Sequence, residues 1–298
     1  MKRFVLFLTV SVSLSSYAEE KAPIEPRQHE GWESAYIDSN GIRLHYWRTG
    51  GENKPAMILA HGATDYGLNW ASLAENFQND YDIIMYDARG HGYSDKPEGP
   101  YDLATHVEDI KGLVEALDLK KPILMGHSMG GSTVALTAAT YPDLPRAVIM
   151  EDPGDMILYL SPITQEMVAS WKKMIAEEKE MDKDKLIEIA RTKRHPGWPD
   201  IEYERWAESK LLVIPNILDI TFGKGFGNPK ETYPKIAAPT LILKADAEEA
   251  ERKKHLELAA LLHHGKLIHV DGAGHLIRLD KPEITVRLIR EFLANVKL

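Results

Sequence analysis

A serine stands between two glycines in Gly126-His127-Ser128-Met129-Gly130, with the apolar run Ile123 to Met125 before it and a run of mostly small residues, Ser132 to Ala139, after it. The first run reads as a buried strand and the second as a helix, so the pentapeptide is Gly-x-Ser-x-Gly at a strand-to-helix turn. Such a sharp turn leaves no room for side chains next to the serine, which explains the glycines and pushes the hydroxyl up at the carboxyl edge of a sheet. The Met129 N–H then sits at a helix start, where an unpaired donor and the helix dipole favour a developing negative charge. The chemistry this suits is nucleophilic attack on a carbonyl. The pentapeptide alone also fits an ordinary glycine-serine turn, so the rest of the chain has to decide.

Further stretches follow in a consistent order. His61-Gly62 comes after the apolar run Ala56 to Ala60, Asp87-Ala88-Arg89-Gly90-His91-Gly92-Tyr93-Ser94 after Asp82 to Tyr86, acids after Pro239 to Lys244, and Gly272-Ala273-Gly274-His275 near the end. In these residues the sequence resembles the α/β-hydrolase family, in its branch with a helical cap, over about residues 30–298. The resemblance implies an α/β fold with a mostly parallel central sheet flanked by helices and an inserted helical cap.

It also implies roles. Serine is a poor nucleophile at neutral pH and needs a base, which in turn needs an acid to fix its tautomer and stabilise the imidazolium. Ser128 is the expected nucleophile and His275 the base. The acid is expected after the strand that precedes the histidine, in the chain order Ser, Asp/Glu, His. Asp246 is the choice there. Glu248, at the commoner family spacing, and the pair Glu151 and Asp152, where some members carry their acid, remain alternatives. The oxyanion donors are the N–H groups of Ala63 and Met129. His61, His91, Asp87 and Arg89 are read as scaffold, with Asp87 and Arg89 bracing their loop, and His45 as structural. The mechanism needs no metal and no organic cofactor.

The expected substrate is a small-molecule ester, with a carbon–carbon hydrolase or a lactonase open on the same triad, and a ligand receptor as the non-enzymatic alternative. Relatives that cleave epoxides or haloalkanes use Asp at the nucleophile position, which disfavours those chemistries here.

The elements that must position these residues are legible in outline. Residues 32–49 read as a hairpin turning at Ser39-Asn40-Gly41. Leu103 to Leu117 has helical periodicity, with His106, Glu108, Asp109 and Lys111 assigned to a solvated face. Strand–helix alternation covers 19–152 and resumes over 236–298, ending in an amphipathic helix from Pro282. Between them, 153–235 is helical and charge-rich, broken by His195-Pro196-Gly197-Trp198-Pro199, and is expected to form the cap. Phe222 to Gly227 reads as its flexible return.

The remaining inferences come from composition. Residues 1–18 have a basic start, a short apolar core and small residues before Ala18, the pattern of a signal peptide cleaved after Ala18. A periplasmic or secreted protein without stable membrane insertion of the mature chain is the expectation. The absence of cysteine excludes disulfides and thiol catalysis. A formal charge of -9 with no dominant basic patch argues against nucleic acid. Oligomeric state is not legible.

Overall fold

The computed structural model describes residues 25–51, 53–221 and 227–296. The expected signal peptide and nearly all of the Phe222–Gly227 return lie outside them. Eight strands form one sheet: β1 (Glu33–Ser39), β2 (Ile42–Arg48), β3 (Ala56–Ala60), β4 (Asp82–Tyr86), β5 (Ile123–His127), β6 (Ala147–Glu151), β7 (Thr240–Lys244) and β8 (Gly265–His269). Their order is β1-β2-β4-β3-β5-β6-β7-β8. The β1–β2 and β2–β4 pairs are antiparallel and the rest parallel. The first hairpin turns with Asn40 and Gly41 both at positive φ, the backbone its tight turn requires.

The central strands β3 to β7 are five-residue runs buried along their whole length. Apolar residues on both faces are what a parallel sheet covered on both sides demands. Alternate residues serve two separate cores. Ile58, Ile84, Leu124, Val148 and Ile242 point to one, and Leu59, Met85, Met125, Ile149 and Leu243 to the other.

The helices are α1 (Ala71–Phe77), α2 (Leu103–Ala116), α3 (Met129–Thr140), α4 (Gly154–Leu160), α5 (Gln165–Lys179), α6 (Lys183–Ile189), α7 (Asp200–Leu212), α8 (Pro229–Thr232), α9 (Glu249–Ala259), α10 (Ile277–Asp280) and α11 (Pro282–Leu293). Among the described residues, the chain between β6 and β7 is a helical insertion, α4 to α8, without a strand. No helix among them is long and apolar enough to cross a membrane.

One surface assignment is corrected. Asp109 and His106 on α2 are buried, not solvated. Asp109 takes both ends of the Arg89 fork and an N–H from Asn40. Arg89 therefore braces its loop through α2, and Asp87 does so separately, accepting from the N–H groups of Gly67 and Tyr93 and facing His45 Nδ1. Helical periodicity counts apolar residues and is blind to a charge that is buried because it is paired.

Candidate active site

Ser128 joins β5 to α3 with φ 51° and ψ -113°. A non-glycine residue held in this region costs energy and persists only where its surroundings over-determine it. Here they do. The Ser128 N–H donates to Glu151 O at 3.0 Å, its carbonyl accepts from Gly154 N–H at 2.9 Å, and Gly130 N–H donates to His61 O at 3.1 Å. A Cβ on Gly126 would meet the Gly130 carbonyl, and one on Gly130 the Ala60 carbonyl. The turn is thus fastened both to the end of β6 and to the loop after β3.

That loop carries Ala63. His61 Nδ1–H donates to Gly62 O at 2.8 Å, and its Nε2 accepts the Ala88 N–H at 3.0 Å. His91 Nε2 lies 2.9 Å from Ala63 O. Both histidines are buried and hold backbone, as their scaffold reading requires. Ala63 and Ser128 line the same two cavities, and Met129 opens α3, where its N–H has no intrahelical acceptor.

His275 is half-exposed at the mouth of these cavities. Its own carbonyl accepts from His127 Nε2–H at 2.9 Å, so the residue before the serine anchors the histidine loop. Its Nδ1 lies 2.5 Å from Asp152 Oδ2. This bond places the proton on Nδ1 and leaves Nε2 as the lone-pair nitrogen. Among the described residues no hydrogen bond joins the Ser128 hydroxyl to His275; such contacts tighten when substrate fills a site.

The expectation for Asp246 is therefore corrected: the carboxylate against His275 is that of Asp152. Asp246 is exposed. It accepts from Gly272 N–H at 2.7 Å, from Ala247 N–H and from Arg252, and it braces the loop that carries His275 from the outside. The Gly272 N–H and the Arg252 guanidinium hold its carboxyl below the usual range. Glu248 is exposed at the start of α9. Glu151 is fully buried but points to the opposite face of the sheet, into the Leu243 and Ile277 core, where it holds Arg278. Successive side chains of a strand face opposite ways, so only one of the adjacent acids can reach His275. Burial alone would raise the Asp152 carboxyl; His275 and Lys244 instead hold it well below the carboxylate range.

Beneath the loop after β3 lies a second set of charges that sequence reading did not single out. Asp65 lies 3.6 Å from His127, 3.7 Å from Lys210 and 3.8 Å from Arg278. Lys210 also donates to Thr64 O at 2.6 Å and sits 4.8 Å over Trp206. Burial would raise the Asp65 carboxyl, and the His127 side chain with Lys210 and Arg278 keeps it well below its ordinary range.

Two cavities meet at Ser128 and His275. The larger, about 520 Å³, is the more polar of the two and lies between Asp65 and the insertion residues Arg194, His195, Trp206 and Lys210. The smaller, about 240 Å³, is walled by Ile157, Leu158, Trp171, Met174, Ile175 and Leu218. The insertion therefore supplies most of the apolar wall and one side of the polar one.

This strand–serine–helix turn, with a histidine held by a carboxylate over it, has relatives. The family model for the alpha/beta hydrolase fold matches residues 55–282. The chain belongs to the α/β-hydrolase family. It is 26% identical to epoxide hydrolase 1 of Caenorhabditis elegans over 97% of this chain and 77% of that one. It is 28% identical to 2-(acetamidomethylene)succinate hydrolase of Mesorhizobium japonicum over 87% of this chain and 95% of that one. A crystal structure of E-2-(acetamidomethylene)succinate hydrolase superposes with a TM-score of 0.75 at 26% identity, covering 88% and 99% of the two chains. Its relatives being hydrolases, this α/β-hydrolase is an enzyme.

Behind the Ser128 turn, Asp155 is buried on α4, and burial pushes its carboxyl up to about 7 against the bonds from Met156 N–H and Tyr233. A folded-state value above the unfolded one means that the folded chain binds this proton more tightly. The resulting stability is fully present below about pH 4 and is lost as pH rises through about 7. Asp155→Asn should therefore raise the melting temperature more at about pH 8 than at about pH 5. A difference that does not grow over that interval would disprove the assignment.

Proposed function

We propose that this α/β-hydrolase is an exported serine hydrolase that cleaves a small acyl ester through Ser128, His275 and Asp152. The observation that carries the reading is the Asp152–His275 bond, on a histidine that shares two cavities with a serine held at a strained strand-to-helix turn. Export rests on the composition of residues 1–18.

The chemistry follows from the geometry. His275 Nε2 takes the Ser128 proton as the hydroxyl oxygen attacks the carbonyl carbon. Asp152 stabilises the imidazolium that forms. The N–H groups of Ala63 and Met129 receive the oxyanion, each supplying a factor of about 100 to 1,000 in rate. The imidazolium then protonates the leaving alcohol. Nε2, free again, takes a proton from water, whose oxygen attacks the acyl-enzyme and releases the acid. The two cavities sort the substrate: an apolar acyl chain of medium length enters the smaller, and a polar leaving group the larger. A serine nucleophile sets this chemistry apart from epoxide opening through an Asp.

An amide of a polar acid is a second reading. Arg194 and Lys210 in the larger cavity favour it, as does the likeness to a hydrolase named for an acetamido-bearing succinate.

A panel of chromogenic esters, from acetyl to dodecanoyl, tests the proposal together with fluorophosphonate labelling. Turnover should peak at an intermediate chain length, the label should sit on Ser128, and Ser128→Ala should lose both. Full turnover in Ser128→Ala would overturn the reading. Ready labelling with no ester turnover, but cleavage of carboxylate-bearing amides, would favour the second.

A further inference from the structure

Lys244 is the last residue of β7, at the sheet edge where the acid was expected, and its side chain is buried. Nothing in the hydrolytic cycle uses it. Its ammonium pairs with Asp152 Oδ1, which also accepts the Ala245 N–H at 3.3 Å. The other oxygen, Oδ2, is thereby left to His275 Nδ1. Asp152 has φ 41° and its own N–H donates to Leu243 O at 2.8 Å, so both its backbone and its carboxylate are tied to β7.

We infer that Lys244 is a positioning residue of the triad, acting on His275 through Asp152. Two physical demands meet there. A buried carboxylate stays ionised only with compensating donors and charge, and while His275 is neutral the lysine supplies that charge. A carboxylate can also rotate about its terminal bond, and a donor fixed to Oδ1 selects the rotation that presents Oδ2 to the imidazole. The acid stands just past the end of β6, and its orientation is set from β7. In this arrangement Asp152 remains an anion throughout the cycle and the proton stays on the histidine.

The inference rests on the serine-hydrolase reading, and the experiment separates the two. Lys244→Met, Lys244→Gln and Lys244→Arg are measured for kcat and KM on the best ester, for the rate of fluorophosphonate labelling at Ser128 and for melting temperature. The first is repeated in an Asp152→Asn background. Misplacing a catalytic group by about an ångström costs on the order of 100-fold. Lys244→Met should accordingly lower kcat and the labelling rate by about 10- to 100-fold with KM changed less than about threefold. Lys244→Arg should recover part of the loss, and in the Asp152→Asn background Lys244→Met should cost less than about threefold.

A folded Lys244→Met enzyme with kcat near that of the parent would overturn the inference, as would an equal loss in both backgrounds. Should Lys244→Met not fold, Lys244→Gln, which is uncharged and one bond too short to hold Oδ1 from the same place, decides by the same labelling rate: parent-like labelling overturns the inference. Loss of activity in Ser128→Ala beside an unaffected Lys244→Met refutes the lysine alone; full activity in Ser128→Ala refutes the reading beneath it.

Discussion

Asp152→Asn is expected to lower kcat by about 10⁴-fold, whereas Asp246→Asn stays within about tenfold of the parent. The first figure follows from what the acid does. An asparagine at 152 keeps the shape, but it cannot accept at every lone pair, and its amide can turn an N–H toward His275. The imidazole then favours the wrong tautomer, with its proton on Nε2, where it cannot receive the serine proton; the equivalent change in a well-studied serine protease costs this much. The loss should fall on kcat with little change in KM, because Asp152 does not line either substrate cavity. Asp246 faces solvent and shares Arg252 with Asp271, so its removal loosens the loop that carries His275 without touching the imidazole. Steady-state kinetics of the two variants on one ester decide the matter. A dead Asp246→Asn enzyme beside a competent Asp152→Asn enzyme would reverse the assignment.

The two candidate edges look alike in sequence, which is why the carboxylate that lies against His275 is not legible there. Glu151-Asp152 and Asp246-Ala247-Glu248 each come at the end of a short strand with an apolar run, Ala147 to Met150 and Leu241 to Leu243, and both satisfy the order Ser, acid, His. The choice turns on side chains. Lys244 ends an otherwise apolar strand, and a buried cation there calls for a carboxylate across from it. That lysine was the available signal. The turn at Ser128 was legible because its glycines and small residues answer a local steric demand, and the strands were legible because burial on both faces leaves little but apolar residues. Long-range charge pairing has no such local signature. Arg89 with Asp109, Asp65 with Lys210, and Glu151 with Arg278 are each separated by at least 20 residues.

The last of these pairs should matter most to stability. Arg278 and Glu151 are both almost fully buried. Glu151 accepts the Arg278 backbone N–H at 2.7 Å and its Nη1 at 2.8 Å. The same guanidinium reaches Asn69 O and lies 4.2 Å over the Trp70 ring. Truncating the arginine leaves the Glu151 charge buried without its cation, and breaking a buried pair in this way costs about 3–5 kcal/mol. In a chain of this size that amounts to a melting temperature lower by roughly 5–8 °C. Arg278→Met is expected to show that drop. It should also lose activity, because Arg278 pins α10 three residues after His275, and the imidazole's aim depends on where that helix starts. Removing both charges together, Glu151→Leu with Arg278→Met, should restore most of the lost stability, since the penalty belongs to the unpaired ion and apolar side chains can fill the space. Activity should return only in part, because the Glu151 acceptor for the Arg278 backbone N–H would still be missing. Thermal melts of the three proteins with ester assays on each test this. If Arg278→Met melts within about two degrees of the parent, the pair is not what holds the histidine loop to the sheet.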